Sequence, residues 1–329
     1  MARSSAVRGD KLYSLADKRV FIAGHGGMVG SALCRRLTGE AILLTVDRDR
    51  LDLRCQLAVN EWFATHRPQV VFLAAATVGG ITANASQPAQ FIFDNLVIET
   101  NVIDAARRTG AEKFLFLSSA CVYPRLARQP VREDDLLTGQ LESTNEWYAV
   151  AKIAGLKLCQ AYRRQYGVDF ISATPASLYG PGDTFDAQSS HVIAALILKI
   201  HEAKMAGGRE VTLWGSGRPL REFMYVDDFA DAAVFLMEHY SGDLSINVGS
   251  GEELTILELA KLIGRVVGWN GDFLLDTSKP DGMPRKCLDS TRLMSLGWRR
   301  STALATGICR TYEWFVSRSQ QAQVSASVA

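Results

Sequence analysis

The chain has 329 residues, 47% hydrophobic and 22% charged, with 36 Lys and Arg against 35 Asp and Glu. That length suits one large α/β domain or two smaller ones, and a net charge of +1 argues against a nucleic-acid footprint. No apolar run reaches the length of a membrane span, and the N-terminal stretch lacks a secretory apolar core, so a cytoplasmic protein is expected.

Residues 1–16 read as a flexible extension. KRVFIAG (18–24) is a short β-branched run ending in glycine, and MVGSALCRRL (28–37) has helical spacing. Between them, Gly24 permits a tight turn, Gly27 allows backbone to approach a pyrophosphate, and Gly30 lets helix and strand pack closely. The helix N-terminus then offers free N–H groups to an anion. AILLTVD (41–47), QVVFLAAA (69–76), KFLFLSSA (113–120) and FISATPASLYG (170–180) are near-continuous apolar runs. QLAVNEWFATH (56–66) and FIFDNLVIETNVIDAARRTG (91–110) are helical stretches between them. Continuous rather than alternating apolar strands predict burial on both faces. The predicted fold is α/β, a Rossmann-type doubly wound parallel sheet over residues 17–179.

From about residue 180, Gly, Pro, Asp and Ser cluster around fewer regular elements, among them LSINVGSG (244–251) and TILELAKLIGRVVG (255–268). This predicts a smaller mixed α/β substrate-binding domain over 180–318, with segments returning to the first domain. The polar tail 319–329 is expected to fray. Cysteines 34, 55, 121, 159, 287 and 309 form no C-x-x-C pair and have no histidine at ligand spacing. They predict reduced thiols, mostly in the core, and no metal site.

NEWYAVAKIAG (145–155) sets Tyr148 and Lys152 one turn apart on a helix face otherwise suited to packing. Taken alone, the pair reads as a packed ring with a snorkelling lysine. Beside a dinucleotide turn it suggests chemistry. Ser119 closes a buried strand at the end where open α/β sheets bind ligands, and its hydroxyl and the phenol can converge on one carbonyl oxygen. The ammonium is expected to draw the phenol below its usual pKa of about 10, so that it gives or takes a proton during hydride transfer.

These features resemble the extended short-chain dehydrogenase/reductases that act on nucleotide sugars. Within that branch, the chain from Lys18 to about Phe315 resembles the GDP-4-keto-6-deoxy-D-mannose epimerase/reductases. The matching stretches include VFIAGHGGMVGSAL, LAAATVGGI, CVYPRLARQP, YAVAKIAG, SHVIAAL, WGSGRPLREFMYVDD and SKPDGMPRK. The resemblance implies epimerisation at C3 and C5 beside a C4 ketone, then reduction of that ketone. It gives Ser119, Tyr148 and Lys152 to reduction, Cys121 to the epimerising base and His191 to its proton-donating partner. Without it, Cys121 reads as core packing and His191 as a cap or surface residue.

It further implies an NADP cofactor, with NAD possible, held by Gly24, Gly27, Met28, Val29, Gly30, Asp47, Arg48, Leu117, Ser118, Lys152, Pro175, Ala176, Ser177, Leu178 and His191. Lys199, Trp214, Arg221 and Asp281 match substrate contacts, and a homodimer is the implied assembly. Two positions depart from the pattern: Gly26 stands where arginine is common, and Thr77 where lysine is. Asp47 would repel a 2′-phosphate, whereas Arg48 suits one. Two rivals are an enzyme for another GDP-4-keto-deoxy sugar, such as a deoxyheptose or dideoxyhexose, and a silent dinucleotide-binding regulator. The second would be expected to lack part of the set Ser119, Cys121, Tyr148, Lys152 and His191.

Overall fold

The computed structural model describes residues 11–186, 190–279 and 281–328. In chain order the first part contains β1 (Arg19–Ala23), α1 (Met28–Leu37), β2 (Ile42–Leu44), α2 (Gln56–His66), β3 (Val70–Leu73), α3 (Ile81–Ser86), α4 (Pro88–Arg108), β4 (Lys113–Leu117), α5 (Glu146–Tyr166) and β5 (Asp169–Pro175). The chain continues through β6 (Ser177–Tyr179), α6 (Val192–Met205), β7 (Glu210–Trp214), β8 (Leu220–Tyr225), α7 (Val226–His239), β9 (Ile246–Val248) and β10 (Glu253–Thr255). It ends with α8 (Ile256–Val267), β11 (Asp272–Asp276), β12 (Arg285–Lys286), α9 (Thr291–Ser295) and α10 (Leu304–Val328).

Among the described residues, one parallel sheet runs in the order β2-β1-β3-β4-β5-β9. Val20, Ile22, Val70, Phe72, Leu115 and Ile171 share an apolar layer with Leu33 of α1 and Phe229 and Leu236 of α7. The alternate residues Phe21, Val71, Phe114, Phe116 and Phe170 join Phe63 of α2, Val102 of α4 and Leu156 of α5. Side chains alternate along a strand, so runs apolar at every position need helices on both faces. At roughly 1.5–3 kcal/mol for each fully buried side chain of this size, the double layer holds the strand ends in place.

From β1 the chain steps outward to β2 and then returns to the far side of β1 as β3. Such a reversal opens a crevice beyond the carboxyl ends of the strands. Gly24 sits there with φ of +86°, and a Cβ on it would lie 2.7 Å from the Ala75 nitrogen. At Gly30, one turn into the following helix, a Cβ would lie 2.0 Å from the Gly24 carbonyl oxygen. Both positions require glycine for space, and Gly24 requires it for conformation as well.

In the second region β6, β10 and β12 pair with β8 in a mixed sheet, and β7 and β11 form a parallel pair. Ile197 of α6, Ile263 of α8 and Ile308 of α10 pack together over these strands. The start of α8 has a local cause: the Thr255 hydroxyl accepts from the Glu258 N–H, and the Glu258 carboxylate accepts from the Thr255 N–H. Strand β9 returns to the first sheet beside β5, and α7 covers the face shared with α1.

Three expectations need correction. Residues 1–10 lie outside the described residues, but 11–16 are not free. Leu12 and Tyr13 N–H groups donate to the Glu238 carbonyl at 2.8 and 3.1 Å, and Leu15 is buried in the core. Helix α10 runs on to Val328 through the segment expected to fray. Cys121, Cys159 and Cys287 are buried, whereas Cys55 and Cys309 are exposed because each falls on a solvent-facing helix position or cap. Among the described residues, no helix is long and apolar enough to cross a membrane.

Candidate active site

Ser119 follows β4 at the carboxyl edge of the sheet and opens a one-turn 3-10 helix, Ala120–Val122. Its hydroxyl accepts from the Cys121 N–H at 3.4 Å, which ties the serine to the cysteine two residues on. Helix α5 packs on this turn, and Tyr148 lies in its first turn with Lys152 one turn further along. The Lys152 ammonium is 5.7 Å from the centre of the Tyr148 ring and 4.8 Å from that of Phe116. It is buried, and it pairs with Glu99 of α4 at 3.0 Å.

The phenol is not drawn down, as the sequence suggested. Burial pushes Tyr148 well above the ordinary tyrosine value, and the Cys121 sulfur and the Glu99 carboxylate add to the shift. Burial is the main cause, and Lys152, which pairs with Glu99, does not offset it. At neutral pH Tyr148 therefore carries its proton and is poised to donate.

Burial also raises the Cys121 thiol. Lys286 opposes that rise, helped by the hydrogen bond with Ser119 and by Lys152. Lys286 reaches the cysteine from β12, where it pairs in register with Arg221 of β8. Burial and Arg221 both disfavour the Lys286 ammonium, and Cys121 and Glu142 favour it. Two neighbouring cations with so little compensation make a place for an anion. A small cleft beside them is lined by Cys121, Gln129, Glu142, Asn145, Met283 and Lys286.

His191 caps α6 by backbone position only, since its side chain makes no capping bond. The ring is left to act elsewhere. Burial raises the nearby Asp183 carboxyl and His191 pulls it back, so the two side chains face each other.

The residues at the crevice fit a dinucleotide. α1 starts at Gly27 with no side-chain cap, leaving its first N–H groups open, and nothing lies within 4 Å of where a Gly26 Cβ would be. The Ser118 hydroxyl, next to Leu117 at the end of β4, is buried and has no partner among the described residues. Pro175, Ala176, Ser177 and Leu178 form the junction of β5 and β6 at the same edge of the sheet. Beyond β2, the Asp47 carboxylate lies 3.4 Å from the His25 ring nitrogen, and Arg48 acts on Asp52. Thr77, where lysine was expected, donates to Asp94, and Arg54 supplies the cation to that carboxylate.

A second cluster lies where β7 ends and β8 begins. The Trp214 indole is 65% exposed, so it is not the core aromatic an isolated reading would make it. Lys199 and Lys279 ammonium groups lie 5.2 and 5.8 Å from its ring. Asp281 accepts from the Ser216 N–H and hydroxyl at 2.8 and 2.7 Å, and it acts on Arg221. Thus Lys199 stands against Trp214, Asp281 acts on Arg221, and Arg221 neighbours the Lys286 that acts on Cys121. Sequence reasoning missed Lys286, Lys279 and Glu99. The first two lie in the quoted stretch SKPDGMPRK, and Glu99 was visible as an acid between Ile98 and Val102 in a helix with an apolar face.

A parallel sheet with a glycine turn at its switch point, and serine, tyrosine and lysine at the carboxyl edge, defines a nucleotide-linked oxidoreductase fold. The chain belongs to the NAD dependent epimerase/dehydratase family, which it matches over residues 20–249, and its cofactor is a nicotinamide dinucleotide. Within that family it is similar to the GDP-L-fucose synthase of Sinorhizobium fredii (strain NBRC 101917 / NGR234), with 55% identity covering 93% of this chain and 98% of the relative. The Escherichia coli (strain K12) GDP-L-fucose synthase is 50% identical, covering 92% and 98%. A solved GDP-L-fucose synthetase from Naegleria fowleri bound to NADP has a TM-score of 0.87 at 25% identity, covering 95% of this chain and 98% of that one.

Proposed function

We infer that this protein converts GDP-4-keto-6-deoxy-D-mannose to GDP-L-fucose by epimerising C3 and C5 and reducing the C4 ketone. The observation that carries the reading is the meeting of Cys121 and Tyr148 in one buried corner, with Lys286 over the sulfur and Lys152 behind the phenol. A ketone acidifies the carbons on both sides of it. At C3 and then at C5, Cys121 takes the proton from one face and His191 gives one to the other, the cysteine losing its proton to solvent and the histidine regaining one between the two inversions, while Ser119 and Tyr148 hold the oxygen. When bound, the nicotinamide supplies hydride to C4; Tyr148 then gives its proton to the C4 oxygen and regains one from solvent. Arg221 and Lys286 hold diphosphate, and Trp214 with Lys199 holds the nucleotide base. The 55% identity to a GDP-L-fucose synthase favours this substrate over a GDP-deoxyheptose or dideoxyhexose. Incubation with GDP-4-keto-6-deoxy-D-mannose and NADPH, read by NMR, tests the reading. A product unchanged at C3 and C5 would refute the epimerase half, and an unreduced C4 the reductase half.

We take NADP as the cofactor, held through Gly24, Gly27, Met28, Val29 and Gly30 at the pyrophosphate and through Arg48 at the 2′-phosphate. Asp47 lies 3.4 Å from the His25 ring nitrogen, and in this reading that contact keeps its carboxylate off the phosphate. NADPH is expected to exceed NADH in kcat/KM, but by less than about a hundredfold, near 2.7 kcal/mol, because Gly26 supplies no second guanidinium. Arg48→Ala should remove about tenfold from NADPH and leave NADH unchanged. A wild-type preference for NADH would reverse the assignment.

The protein is also read as a homodimer. Phe93 on α4 and Trp147 and Val150 on α5 are large apolar side chains left exposed on neighbouring helices, and a second copy would cover them. Light scattering should give twice the chain mass, and Phe93→Glu should halve it. A monomeric parent protein would end this reading.

A further inference from the structure

Asn145 opens α5 without capping it. Its side chain makes no bond to the first turn. Its backbone, with φ of −139° and ψ of 20°, is not the extended one from which an asparagine folds back on its own helix. The residue instead lines the small cleft beside Cys121. Its Oδ1 is buried and has no partner among the described residues. A buried amide oxygen is costly to leave without a donor, so such an atom calls for a ligand.

Other polar side chains of the cleft are already engaged. The Tyr123 hydroxyl donates to Asn247 at 2.7 Å, and the Gln129 Oε1 accepts from the Cys287 N–H at 2.9 Å. Glu142 pairs with Arg125 at 3.3 Å. Lys286 is given to the diphosphate above, which leaves the Asn145 amide for the sugar itself. Its place on the chain says which part of the sugar. Tyr148 follows three residues on, so amide and phenol stand one turn apart at the start of α5. With the phenol on the C4 oxygen, an amide so placed meets a substituent of a neighbouring carbon. C3 carries a hydroxyl and C5 a methyl group, and only the hydroxyl can donate to Oδ1.

We propose that Asn145 is a substrate contact that accepts the C3 hydroxyl and so sets the ring with its C3 hydrogen toward the Cys121 sulfur. The contact makes C3 inversion depend on a residue that C5 inversion does not need. The proposal deepens the epimerase reading and rests on it.

Two variants test it: Asn145→Ala, and Asn145→Leu, which fills the volume without polar atoms. Both should melt like the parent, because no capping bond is lost. Deuterium wash-in at C3 should slow about tenfold, as for one neutral hydrogen bond, with C5 changed by less than about twofold. A third measurement needs no substitution. GDP-4-keto-3,6-dideoxy-D-mannose, which lacks the C3 hydroxyl, should compete about tenfold more weakly than the full substrate in the parent protein. In the two variants its inhibition constant should be that of the parent. Parent-like C3 wash-in in the variants, equal slowing at C3 and C5, or an analogue that binds the parent as tightly as the substrate overturns the proposal and leaves the epimerase reading standing. A parent protein that admits no deuterium at either carbon overturns both.

Discussion

Replacing Tyr148 with phenylalanine is expected to lower kcat for ketone reduction about a thousandfold, or about 4 kcal/mol of transition-state stabilisation. The ring remains to pack against α5 and the 3-10 turn, so the fold and the cofactor crevice at Gly24 should be untouched. Only the proton is lost, and it is needed as negative charge grows on the ketone oxygen. The effect should therefore fall on kcat and leave KM for the sugar nearly constant. Cofactor affinity, followed by nicotinamide fluorescence, should be unchanged. A variant that keeps most of its turnover would mean that another group delivers the proton, and Ser119 would be the first to examine.

The second large effect should come from Cys121→Ser, and it should divide the two half-reactions. A serine hydroxyl is far too weak a base to remove a carbon-bound proton, so solvent deuterium should cease to enter C3 and C5. Slow direct reduction of the unepimerised sugar should remain, since Ser119, Tyr148 and Lys152 are intact. The parent protein offers a companion test through pH. Burial raises the Cys121 thiol, so its basic form grows as pH rises and deuterium wash-in should accelerate toward alkaline pH. Burial raises the Tyr148 phenol too, but there the protonated form is the active one, so reduction should hold steady and then fall as the phenol ionises. Opposite slopes for the two steps are the signature. Wash-in unaffected by Cys121→Ser would return the cysteine to core packing.

Much of this was legible in one dimension because its causes are local. The predicted helices at 28–37 and 56–66 coincide with α1 and α2 to the residue, and the apolar runs marked five strands of the main sheet. Gly24 and Gly30 could be read because a turn and a close approach demand a missing Cβ. What stayed hidden depends on distant partners. Glu99 and Lys286 look like solvated charges within their own windows, and only folding sets them against Lys152 and Cys121. The phenol was misjudged for the same reason: the lysine one turn away is visible in the sequence, but the burial that raises the phenol and the carboxylate paired with that lysine come from other elements of the fold. Trp214 shows the converse, an aromatic that composition would place inside and the structure leaves open.

The return of β9 to the edge of β5 has a bearing on how such a protein can diversify. A chain cut near residue 180 would leave β5 as a bare strand edge, prone to pairing with other chains, and would strip α7 from the layer over β1, β3 and β4. The N-terminal contact with Glu238 would be lost as well. The two regions should thus melt in a single transition and resist exchange as separate cassettes between relatives. New sugar preferences must instead arise by small changes at the rim, in the short segments 214–221 and 279–286, while the shared scaffold stays whole.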